Sequence, residues 1–197
     1  GDTGDTGDTG GVVYDSAQVS DISARVDEDY GTLVYVSWEQ GADATVWVEY
    51  SFDKDEWHSS PPKDVAAGPQ EQILLGIPYG YEVTYRVVNQ FGETGPFSSE
   101  EDAAETAALP EGAPAPKKAS GDETLWDPEL NYLFLSMDGD RTRDYFAFII
   151  DRKGRVVWSY VLPNSTISLH ARVSYDGTQL LIDHNTYWAV FDGGAGS

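Results

Sequence analysis

Between Val19 and Asn89 the chain is built from short runs in which apolar and polar side chains alternate, with no helical periodicity among them. A period of two places successive side chains on opposite faces of a strand, so each run reads as a strand with one dry face. The runs are Val19 to Val26, Leu33 to Glu39, Thr45 to Phe52, Gln72 to Ile77 and Tyr81 to Asn89, bounded by turn residues and rich in Val, Tyr and Trp. In the second run Val34, Val36 and Trp38 share one side and Leu33, Tyr35 and Ser37 the other. In the third, Val46, Val48 and Tyr50 oppose Trp47 and Glu49. So many short strands in so little chain predict a two-sheet β-sandwich over residues 12–99.

Charge divides the chain differently. Residues 1–125 hold 25 acidic and 6 basic side chains, whereas 126–197 hold 9 and 6, giving net charges of -19 and -3. An acidic surface repels phosphate backbones and anionic headgroups, which excludes nucleic acid as a partner. The absence of cysteine removes disulfides, thiol catalysis and thiolate metal sites, but leaves the compartment open. No apolar run reaches the roughly 18 to 20 residues a membrane helix requires, so no transmembrane segment is expected.

Two stretches read as tethers. Residues 1–11, three Gly-Asp-Thr copies closed by glycines, have nothing to bury and are expected to stay solvated. Calcium capture by Asp2, Asp5 and Asp8 is the alternative, but these lack the spacing and closing Glu of a calcium loop. Residues 100–122 run from an acidic, alanine-rich stretch into Pro110, Pro114 and Pro116, which predicts a semi-stiff linker with room for one helical turn at Ala103 to Leu109.

From residue 123 to 197 the pattern changes to longer hairpins. YLFLSM, a polar gap, YFAFIID, the turn DRKG and VVWSYVL are followed by LHARVSYDGTQLLIDHN and YWAVFDGG. A glycine closing such a turn supplies the positive φ that hairpin twist demands. Aligning IIDRKG with VFDGGAG sets Asp151 on Asp192, 41 residues apart. That spacing falls within the roughly 40 to 45 residues of a four-stranded propeller blade. The expected fold class is all-β, a sandwich followed by the first one to two blades of a truncated β-propeller.

The first unit resembles a fibronectin type III or immunoglobulin-like module, through Trp38, Tyr50 and the segment carrying Leu75, Pro78, Tyr81, Tyr85 and Val87. Either Tyr81 or Tyr85 is placed to make that family's tyrosine-corner bond. Trp57 and His58 near a turn read either as a cover for the sandwich edge or as a ligand platform. In the second unit, Ile149 to Trp158, His170-Ala171-Arg172 and Tyr175-Asp176-Gly177 resemble the bacterial arylsulfotransferase family, a six-bladed propeller behind an N-terminal sandwich.

That resemblance implies a channel that binds an aryl sulfate, and a histidine that accepts the sulfuryl group before a phenol removes it. Neutral imidazole suits the role, since its pKa near 6.5 leaves it unprotonated and nucleophilic at neutral pH. His170, at the start of the strand expected innermost in its blade, is the candidate catalytic residue, with a structural bond between blades as its alternative. Arg172, two residues on and on the same strand face, is the candidate for holding a sulfate oxygen. No cofactor is implied, and no G-x-x-x-x-G-K-[ST] phosphate loop is present. His184 with Asp183 lacks a third ligand, so no metal is expected, and the Asn164 sequon reads as accidental. The small-molecule partners implied are an aryl sulfate and a phenol. The Gly-Asp-Thr stretch resembles the stalk of a surface lipoprotein whose lipid-bearing cysteine would precede it, so an extracytoplasmic location (periplasmic, cell-surface or secreted) is expected. Since a propeller needs at least four blades, the remainder is expected beyond Ser197 and these residues alone are expected to be inactive. The alternative is a cell-surface binding or adhesion protein that does no chemistry.

Overall fold

Val34, Val36, Val46 and Val48 have no exposed surface and Trp38 is only 3% exposed, so the drier faces of the second and third runs meet in one core. This comes from a computed structural model that describes residues 15, 18–54, 56–115, 127, 130–137, 144–162, 171–174 and 179–182. Its first nine strands are β1 (Val19–Val26), β2 (Val34–Gln40), β3 (Ala44–Asp53), β4 (Glu56–Ser59), β5 (Lys63–Val65), β6 (Gly68–Leu74), β7 (Glu82–Phe91), β8 (Thr94–Ser98) and β9 (Asp102–Glu105). One sheet has the order β1-β2-β6, and the other runs β4-β3-β7-β8, with β5 also on β3 and β9 also on β7. Every pairing is antiparallel. Two inner faces that alternate in this way bury a shared apolar layer, each large side chain contributing about 1.5–3 kcal/mol. Leu74, Ile77, Val83, Tyr85 and Val87 complete that layer.

The helical turn expected at Ala103 to Leu109 is not formed. Asp102–Glu105 is strand β9, with Val83 opposite Ala104 and Tyr85 opposite Asp102. Alanine propensity yields because the free edge of β7 offers backbone partners that a single isolated turn cannot match. The Tyr85 hydroxyl donates to the Asp102 carboxylate at 3.0 Å, a side-chain partner on β9 in place of the upstream backbone carbonyl of a tyrosine corner.

Five further strands follow: β10 (Tyr132–Met137), β11 (Tyr145–Asp151), β12 (Val156–Leu162), β13 (Ala171–Val173) and β14 (Leu180–Ile182). The first three form an antiparallel sheet in sequence order, and β13 and β14 form a hairpin. Strand β13 lies beside β10, so the two sheets adjoin through their first strands. The described residues are all-β, with several antiparallel sheets and no closed barrel, an arrangement compatible with a sandwich and partial propeller blades. No helix among them is long and apolar enough to cross a membrane.

Candidate functional site at the junction of the two units

The turn Asp151-Arg152-Lys153-Gly154 joins β11 to β12, and its local chemistry shapes the junction. Gly154 adopts φ 78°, as the sequence pattern requires. One oxygen of the Asp151 carboxylate, Oδ1, accepts the backbone N–H groups of Lys153 and Arg155, each at 2.9 Å. The other, Oδ2, accepts Nε–H of Arg155 at 2.6 Å. The aspartate thereby organises the turn and aims the Arg155 guanidinium out of it.

That guanidinium enters the sandwich. Its Nη1 donates to both carboxylate oxygens of Asp53, at 2.8 and 2.9 Å. Its carbon lies 5.3 Å from the Phe52 ring centroid and 5.2 Å from that of Tyr81, two rings that meet edge to face. Lys153 adds a second cation on Asp53 at 2.6 Å. Hydrogen bonds from Arg155, then from Lys153, hold the Asp53 carboxyl below the ordinary aspartate range. Burial works against the charge on Arg155, but its bonds to Asp53, Asp151 and Tyr81 outweigh burial and raise its pKa further. The third cation of the turn, Arg152, donates to the backbone carbonyls of Leu130 and Asp127.

A second set of contacts lies along β12. The Tyr79 backbone N–H donates to the Val156 carbonyl at 3.1 Å, and its hydroxyl shares a 2.9 Å bond with Ser159. Tyr30 stacks with Trp158 at 6.0 Å. Tyr79, Leu109 and Ala113 pack against Phe146, Phe148, Ile150 and Val156, so the segment expected as a semi-stiff linker contributes apolar cover through Leu109 and Ala113. Beside these contacts is an open cleft of about 270 Å³, whose lining includes Asp53, Glu56, His58, Tyr132, Asp151 and Arg155. The His58 ring stacks on Phe52 at 4.9 Å, while its Nε2 is buried without a hydrogen-bond partner. Its neighbour Trp57 is 42% exposed on β4, with the Arg86 guanidinium 4.4 Å from its ring centroid.

Of the residues singled out in the sequence, His58 lines this cleft and Tyr81 packs on the Arg155 guanidinium. Arg172 is exposed on β13, opposite Leu181. His170, His184, Asp183, Asn164, the Tyr175-Asp176-Gly177 turn, Asp192 and the Gly-Asp-Thr stretch with Asp2, Asp5 and Asp8 lie outside the described residues. Among the described residues no group of three His, Cys, Asp or Glu is placed to hold a metal ion. Sequence reading took Asp151 to Gly154 as a hairpin signal and passed over Arg155. The available clue was charge: three of the chain's twelve basic side chains fall between positions 152 and 155. No protein-family model matches the chain, and no curated protein matches it.

Proposed function

We propose that the chain is the sandwich and opening blades of an extracytoplasmic, arylsulfotransferase-like propeller protein. The observation that carries this reading is the adjacency of β13 and β10, which brings the first strands of two successive sheets together as a radial blade arrangement requires. The sheet order β1-β2-β6 against β4-β3-β7-β8 supports a fibronectin type III-like identity for the sandwich, which serves as a brace on the first blade. His170 directly precedes β13 in sequence, and Arg172 lies on it.

In the proposed chemistry an imidazole nitrogen of His170 attacks the sulfur of an aryl sulfate. The sulfur–oxygen bond to the aryl group breaks, and the phenolate leaves and takes up a proton from water. The acceptor phenol then gives its proton to water as its oxygen attacks the same sulfur, and the nitrogen–sulfur bond breaks, returning the imidazole. Arg172 would offset charge on the sulfate oxygens. The test is aryl-sulfate turnover by the full-length protein. Loss of turnover in His170→Ala, with a raised KM in Arg172→Ala, is the expected result. Turnover that survives His170→Ala unchanged overturns the assignment.

A second reading, a surface binding protein without chemistry, is favoured by the way the junction cations are spent: Arg152, Lys153 and Arg155 all hold carboxylates or carbonyls of this chain. Absence of turnover in the wild-type protein selects it.

A further inference from the structure

We infer that Phe52, Asp53 and Tyr81 form a recognition socket on the sandwich that is specific for a hairpin turn of the form Asp-x-Lys-Gly-Arg, and so docks the sandwich on one blade and no other. The socket has three parts, all from the sandwich. Asp53, at the end of β3, supplies both carboxylate oxygens to one guanidinium nitrogen. Phe52 and Tyr81 supply two ring faces at nearly equal distances from the guanidinium carbon. A planar cation between aromatic rings and a carboxylate suits arginine, whose fork and flat delocalised charge lysine does not reproduce.

The turn supplies the matching features. Asp151 is needed because its carboxylate fixes the backbone of Lys153 and Arg155 and steers the guanidinium. Gly154 is needed for its positive φ. Lys153 and Arg155 reach Asp53 from the two sides of that glycine. The sequence also contains a counter-example. At the aligned positions, Asp192-Gly193-Gly194-Ala195-Gly196 keeps the aspartate but has glycine at both positions that correspond to Lys153 and Arg155, and alanine at that of Gly154. A segment of that composition offers the socket no cation and no long side chain to insert. Apolar packing around Tyr79 holds the units together without discriminating between blades; the ion pairs supply the discrimination.

The backbone N–H of Tyr79 is a reporter specific to the joint, because it donates to Val156 across it. The experiment compares its hydrogen-exchange rate in the 197-residue chain with that of the Val48 N–H, which donates to Ser60 inside the sandwich. Asp53→Asn is expected to accelerate Tyr79 exchange by about tenfold and to leave Val48 unchanged. Lys153→Gln with Arg155→Gln is expected to do the same, and adding Asp53→Asn to that pair is expected to produce no further acceleration. Tyr79 exchange at the wild-type rate in Asp53→Asn overturns the socket, as do full, independent effects of the two sets. If the double glutamine variant loses protection along β10 and β11, Asp53→Asn decides alone, since its substitution lies on the other unit.

Discussion

Gly76 and Tyr132 stand so close across the junction that a Cβ on the glycine would overlap the tyrosine hydroxyl. Gly76 also has φ +80°, where an L side chain is strained, so the position is restricted twice. Gly76→Ala should cost about 1–3 kcal/mol of unfolding free energy, measured by denaturant titration. Tyr132→Phe in that background removes the hydroxyl and should recover part of the loss, leaving the backbone strain. Full recovery would show that φ contributes nothing.

Asp53 should give the joint an acid limb. Its folded pKa is depressed below the unfolded value of about 3.9, so its contribution is complete above that pH and is lost as pH falls through the folded pKa. Tyr79 amide protection should therefore hold from neutral pH down to about 4 and weaken below it, whereas Asp53→Asn should lack this component. A loss of protection centred near pH 6 would assign the control elsewhere.

Tyr50 gives the opposite sign at the alkaline end. Burial, and then the nearby Tyr132, push its phenol up to about 12, and its hydroxyl donates to the Leu75 carbonyl at 2.9 Å. A raised folded pKa stabilises the protein below the unfolded value of about 10, and that stabilisation is lost as pH climbs toward the folded value. Spectrophotometric titration should resolve a late-ionising class among the twelve tyrosines, smaller by one in Tyr50→Phe.

Two of the sandwich's three tryptophans, Trp38 and Trp57, should differ sharply. Trp38 is 3% exposed, and Trp38→Ala should cost about 3–5 kcal/mol. Trp57 loses mainly its contact with Arg86, so Trp57→Ala should cost about 0.5–1 kcal/mol. Equal costs in thermal unfolding would mean that β4 is integral to the core.

What the sequence reveals follows the strength of the local signal. Val19 to Val26 is read with the bounds of β1, and Val34, Val36 and Trp38 are read on the buried face, because alternation and burial report the same thing. Strand β9 is hidden, since Asp-Ala-Ala-Glu carries no alternation and becomes a strand through its pairing with β7. Arg155 is hidden for a related reason. Its role depends on Phe52, Asp53 and Tyr81, which lie 74 to 103 positions earlier and come together only when both units are folded. The pattern around Asp151 specifies a hairpin, and its target lies on another surface.

The bond from Tyr79 to Val156 falls on β12, which is an end strand of its sheet among the described residues. A strand in that place would otherwise present unsatisfied backbone groups to any passing polypeptide, an invitation to intermolecular polymerisation. With the Tyr79 N–H lodged there, the sandwich occupies the Val156 carbonyl, and the same contact that anchors the sheet withholds that acceptor from a foreign strand.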